Sequence, residues 1–267
     1  MTGYIELGLL DLAVAATLLL VNAVLSIVLD LRLERQLAIA AIRMVVQLSL
    51  VGLVLKLLFA VLSPWLTALA ALVMAIFAGW EVAARQSHRF TGWWGYGLGG
   101  TTMTLAGLLV TTLGLTVMLR PEPWYDPRYA IPLFGMILGN AMTGVSLGLH
   151  TLTSTTTRDR PAVEAQLLLG ATRWQAMAGV TREALYSGLM PTINAMAATG
   201  VVALPGMMTG QILAGVDPTQ AVRYQLLVMF LIAGATGAGV LLAVYGGVHR
   251  LTDERHRLRL DRLRTAV

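Results

Sequence analysis

The chain has 267 residues, of which 57% are hydrophobic and only 12% charged. Soluble domains run nearer about 45–50% apolar and about 25% charged, so these proportions exclude intrinsic disorder and a conventional soluble enzyme and define an integral membrane protein. The net charge of +5 does not indicate nucleic acid, because eighteen of the nineteen basic residues are arginines and most sit just outside apolar runs.

The absence of cysteine excludes disulfides and thiolate metal sites. The N-terminal stretch carries Glu6 and Asp11 where a secretory signal peptide would need basic residues, so none is expected. Hydropathy then predicts seven spans: Leu7 to Leu29, Leu37 to Phe59, Trp65 to Val82, Trp94 to Leu119, Ile131 to Leu149, Ala184 to Leu204 and Tyr224 to Tyr245. Each run is continuously apolar without strand alternation, which argues against a β-barrel. The expected fold is all-α, a polytopic integral membrane protein forming one domain over residues 1–267.

Orientation follows from the arginines. Counting alternate connections, one side holds fourteen basic residues and the other only Arg120, Arg128 and Arg223. The richer side includes Arg85, Arg89, Arg158, Arg160, Arg173, Arg182 and six arginines from Arg250 to Arg264. This asymmetry puts the N-terminus outside and the C-terminus in the cytoplasm. The outer connection from Arg120 to Pro127 is too proline-rich for helix interior and too short for a receptor domain. The basic tail, about 248–267, reads as helix-like and as a charged cap toward anionic lipid.

Span five carries Gly135, Gly139 and Thr143, then Gly144 and Gly148, at four-residue spacing, which lets backbones approach in lipid. Gly95 and Gly99 in span four and Gly234, Gly237 and Gly239 in span seven offer the same.

Between spans five and six, about 156–183, the chain predicts a helical hairpin. Asp159 is placed to cap a helix with Pro161 in its first turn. Glu164 follows near the positive end of that helix, and Gly170 ends it. Thr172 caps a second helix, along which Trp174, Met177, Thr181, Ala184 and Leu185 share a face. Such a hairpin can rest on a partner and carry a push into the spans; the plainer alternative is an amphipathic element lying on the bilayer.

The order Glu164-Ala165-Gln166, three residues, then Gly170 resembles the cytoplasmic EAA loop of ABC-transporter permeases. Further runs extend the likeness: Ile131 to Met142, Leu169-Gly170-Ala171-Thr172, Leu204 to Gly210 and Ala214 to Pro218. Together they resemble the FetB-type permease family, which includes bacterial iron exporters and a plant aluminium-tolerance half-transporter. The resemblance implies a permease exporting iron or another metal cation from the cell inner membrane. It also implies ATP hydrolysed by a separate ATP-binding subunit and a homodimer of permeases. Glu164, Ala165, Gly170, Ala171, Thr172 and Arg173 would form the coupling loop to that subunit.

The chain itself has no P-loop: its one lysine, Lys56, lies among leucines within a span. No tightly bound cofactor is expected and no catalytic group is assigned. Iron would be cargo, and its ligands are not fixed by sequence.

Ionisable groups at depth mark a path or a paired contact. Asp11, Arg43 and Glu81 lie near span ends, where an interfacial reading suffices. Asn140 and Asn194 lie deeper, and each faces either a neighbouring helix or a watery path. Met136 and Met142 flank Asn140, while Met207 and Met208 follow the break at Pro205 and Gly206; each methionine is either path or core filler. Thioethers suit soft ions better than iron. Asp217 either binds a cation near the exit or caps span seven. Two rival functions remain at this stage, an importer permease and an ATP-independent secondary transporter.

Overall fold

The computed structural model describes residues 8–86 and 88–265. Glu6, Leu7 and the last two residues of the expected tail lie outside them. The chain packs as two compact units, 1–61 and 62–267.

The first unit is a helical hairpin of α1 (Leu9–Val28) and α2 (Glu34–Val61). Asp11 accepts a hydrogen bond from the Gly8 N–H at 2.8 Å and so closes the start of α1, its interfacial role. The turn is held by buried Ser26, which donates to Glu34 and accepts from the Leu33 N–H. Leucines and valines cover the outer surface of both helices, as lipid requires.

The second unit begins with α3 (Pro64–Ala84), β1 (His88–Phe90) and α4 (Trp94–Leu113), which runs into a π-helical turn at Gly114–Leu119. Then come α5 (Pro127–Arg158), α6 (Arg160–Leu168), α7 (Arg173–Ala176), α8 (Ala178–Ala198), α9 (Gly206–Leu213) and α10 (Pro218–Leu251). A 3-10 turn at Leu260–Arg262 leads into β2 (Leu263–Thr265).

The main core joins Val82 of α3, Met103 of α4, Leu138, Val145 and Leu152 of α5, Ala184 of α8 and Val244 of α10. A second cluster joins Leu115, Ile137, Val228 and Ile232 toward the opposite end. Small residues allow close approach, as where Gly144 of α5 meets Gly188 of α8. Within the expected stripe, Gly135 lies against Met74, and Gly144 and Gly148 against α10, whereas Gly139 has open space where a Cβ would stand.

Among the described residues, six helices are long and apolar enough to cross a membrane: α1, α2, α3, α4 with its π extension, α5 and α10. The expected sixth span is not among these six, and its bounds of Ala184 to Leu204 are corrected. Helix α8 starts earlier, carries Arg182 and Glu183, and ends at Ala198, and the chain turns at Gly200 with φ of +92°. Val201 to Leu204 are apolar but lie in that turn. At a rise of about 1.5 Å per residue, the 32 residues of α5 and the 34 of α10 exceed the hydrocarbon thickness of about 30 Å. Helix α10 passes Gly246 and Gly247 without a break.

The tail is the larger correction. Beyond Leu251 it is not helix but a strap folded back on the arginine-rich end. Asp253 caps the first turn, accepting the Arg257 N–H at 2.9 Å and its Nε at 2.8 Å. The Arg259 N–H reaches the Leu251 carbonyl at 2.8 Å, and β2 pairs antiparallel with β1, Arg89 opposite Arg264. Leu258 and Leu263 pack on the main core.

Candidate functional site

The hairpin forms where the sequence puts it. Helix α6 turns back at Gly170, whose φ of +91° favours glycine. The Ala171 N–H reaches the Gln166 carbonyl at 3.0 Å and the Gly170 N–H reaches Leu167 at 3.1 Å, satisfying two end carbonyls of the helix. Thr172 and Gln175 then cap α7 reciprocally, the Thr172 N–H donating to Gln175 Oε1 at 2.9 Å.

Asp159 departs from expectation. It sits at the start of α6, but its carboxylate makes no cap and accepts from the Arg158 guanidinium at 2.9 and 3.1 Å. That hydrogen bond holds the Asp159 carboxyl below the usual carboxylate range. Glu164 likewise pairs with Arg160 at 2.8 Å, one turn back.

Packing divides the hairpin into an anchored and an open face. Val163 is buried and Leu167 and Ala171 lean on the main core, while Met177, between α7 and α8, is fully buried. Ala165 is exposed, and Leu168 and Leu169 are each 88% exposed. Two leucines projecting from a hairpin rich in charge, beyond the end of a helix longer than the bilayer, form the open face. At its base, Glu183 of α8 accepts from Thr155 at 3.4 Å and lies 3.7 Å from the Arg158 guanidinium, linking α8 to α5.

Arg173 adds a contact that no local pattern announces. Its backbone N–H, one of the unfilled donors at the start of α7, donates to His256 Nδ1 of the strap at 3.2 Å. The Arg173 guanidinium lies over the Trp174 ring, 5.2 Å from its centre, and Trp174 meets Tyr245 of α10.

The predicted path residues do not form one cluster. Asn140 is exposed and donates to the Met136 carbonyl of its own helix at 2.8 Å. Asn194 is exposed on α8. Met136 and Met207 lean on the second core cluster, whereas Met142 packs on the main one; Met208 is half-buried on α9. Asp217 accepts the Thr219 and Gln220 N–H groups at 2.9 and 3.2 Å, the capping role. Glu81 pairs with Arg85 at 3.2 Å, again a structural role.

Sequence reading missed two amides, Gln211 of α9 and Gln225 of α10. Each buries a side-chain carbonyl oxygen with no hydrogen-bond partner, and an oxygen of that kind suits a hard cation. Among the described residues no three His, Asp or Glu side chains converge as a metal site.

Comparison with known proteins adds identity to this geometry. The profile described as "Uncharacterised protein family (UPF0014)" matches residues 9–252. The chain belongs to the UPF0014 family. It is 39% identical over 232 residues to the "UPF0014 membrane protein slr1647" of Synechocystis, covering 85% of this chain and 86% of that one. It is 32% identical over 254 residues to the "Probable iron export permease protein FetB" of Escherichia coli, covering 95% and 96%. "Protein ALUMINUM SENSITIVE 3" of Arabidopsis thaliana is 33% identical over 238 residues, covering 89% and 85%. No solved structure matches. With its apolar helices, this UPF0014 chain is an all-α, multi-pass membrane protein.

Proposed function

We propose that this UPF0014 protein is the permease subunit of an ABC transporter in the cell inner membrane, exporting iron or another metal cation. The ATP is hydrolysed on a separate subunit, and two permeases act as a homodimer. The observation that carries the reading is the divided hairpin: Val163 and Met177 locked into the core, Leu168 and Leu169 held out. The Escherichia coli relative, named a probable iron export permease, supports the direction and the cargo.

Mechanically, a partner gripping Leu168 and Leu169 moves α6 as a lever. Buried Val163 passes the push to the main core, and the Glu183 contacts make α5 and α8 move together. In this reading α8 crosses the membrane as a seventh span packed between α5 and α10, which keeps the arginine asymmetry consistent. The open flank of α5 at Gly139 and Asn140 and the exposed Asn194 of α8 then face the second permease. There their amides, with Met136, Met142, Met207, Met208, Gln211 and Gln225, line or border the cation path.

The test is ATP-dependent metal efflux from proteoliposomes holding the permease with its ATP-binding subunit. Wild type should expel iron only with ATP, and Glu164→Lys, which repels the Arg160 it now pairs with, should uncouple hydrolysis from transport. Efflux that proceeds at the same rate without ATP or the second subunit contradicts the proposal.

A further inference from the structure

A cleft of about 400 Å³ opens between the strap, the end of α10, Trp94 and Arg173 of the hairpin; Arg250, Arg255, Arg257 and Arg262 with Asp253 and Glu254 supply its charge. Counting Arg173, five of the lining residues are arginines and only two are acids. Asp253 is already occupied by the Arg255 N–H and by the backbone and guanidinium of Arg257, and Arg262 donates to the Arg250 carbonyl at 2.8 Å. Arg173 Nη1 and Arg250 Nε are buried with no hydrogen-bond partner.

A buried guanidinium N–H without an acceptor is costly, more so than a neutral one. Each guanidinium lies over an indole, Arg173 over Trp174 and Arg250 over Trp94, each 5.2 Å from the ring centre. They come from elements far apart in sequence, the hairpin and the end of α10. A tetrahedral oxyanion has acceptors in several directions, and guanidinium forks match it. Trp93, 90% exposed beside Trp94, belongs at headgroup depth.

We propose that this cavity is an anion site for a phosphate group, held by Arg173 Nη1 and Arg250 Nε and screened by the remaining arginines. The phosphate is that of an anionic lipid headgroup or free inorganic phosphate; the chemistry of recognition is the same. Bound there, it bridges the coupling hairpin to α10 and fastens the strap over both.

The full-length protein, delipidated in non-ionic detergent, is titrated with radiolabelled orthophosphate at low salt. In parallel it is reconstituted in nanodiscs of phosphatidylcholine with phosphatidylglycerol, and native mass spectrometry counts the lipid retained. Saturable phosphate binding, weakened about tenfold or more in Arg173→Gln or Arg250→Gln, the worth of one charge-assisted hydrogen bond, supports the site with phosphate as source. Retained phosphatidylglycerol that phosphate does not displace, and that both variants lose, supports it with lipid as source. Glu254→Gln, which removes a like charge, should tighten either. The unmodified protein gives an independent reading: phosphate or phosphatidylglycerol should shield Arg173 and Arg250 from phenylglyoxal. No binding of either probe, no shielding, or binding indifferent to both substitutions overturns the proposal.

Discussion

Gly144 of α5 and Gly188 of α8 meet so closely that a Cβ on either would stand 2.8–2.9 Å from the other's carbonyl oxygen. The Val240 side chain of α10 closes the third side, 2.7 Å from a Cβ on Gly188. Three helices therefore touch where two of them carry no side chain, the device membrane helices use when hydrophobicity supplies no pairing force.

Gly188→Ala should accordingly destabilise the second unit by about 1–3 kcal/mol, the usual cost of overpacking. Gly237→Ala, where a Cβ meets nothing within 4 Å, should not. Thermal unfolding in detergent, followed by loss of the monodisperse peak, measures both. Equal losses would mean that the contact is not the constraint described.

The strap makes a second prediction. His256→Ala removes the acceptor for the Arg173 N–H and places alanine at a φ of +52°, where His and Asn are better tolerated. Hydrogen exchange at the Arg173 amide should speed up by about five- to tenfold, about 1 kcal/mol of lost protection. His256→Asn, which keeps an acceptor, should restore part of it. Unchanged exchange in His256→Ala would show that the strap does not hold the hairpin.

Acid should loosen the turns of the strap. Hydrogen bonds from Arg259 hold the Asp261 carboxyl down at about 2, and the Arg257 N–H and guanidinium hold Asp253 below the ordinary range. Both folded values lie below the unfolded value of about 3.9. Their contribution is therefore complete above that value and is lost as pH falls through the folded ones. Because the chain has no cysteine, a nitroxide at Arg264→Cys labels one site. Its line shape should stay immobilised down to about pH 4 and sharpen between about pH 4 and pH 2. Sharpening that is complete by pH 5 would contradict the assignment.

What was legible in the sequence was local. The Gly170 turn and the Thr172 cap are set by a few adjacent residues, and the helix runs by their own apolarity. The strap was not legible, because β2 meets β1 across most of the chain, His88 with Thr265. Its anchors, Leu258 and Leu263, are scattered among arginines without helical or strand period. Asp159 misled because a neighbouring arginine out-competed the α6 amides for its carboxylate. Span six misled because apolar Val201 to Leu204 invited extension of a helix that the left-handed turn at Gly200 had already ended. The buried oxygens of Gln211 and Gln225 could have been suspected as amides within apolar segments, but only the fold shows that they lack partners.

In the proposed mechanism Leu168 and Leu169 are the grip through which a separate ATPase drives the bundle. The most direct measurement is retention of the ATP-binding subunit on affinity-purified permease, comparing wild type with the double variant Leu168→Asp, Leu169→Asp. Both leucines are exposed, so the variant should fold and keep its thermal midpoint while losing the subunit by at least about tenfold, as expected for two apolar anchors at an interface core. Undiminished retention of the ATPase by the folded double variant would contradict the account.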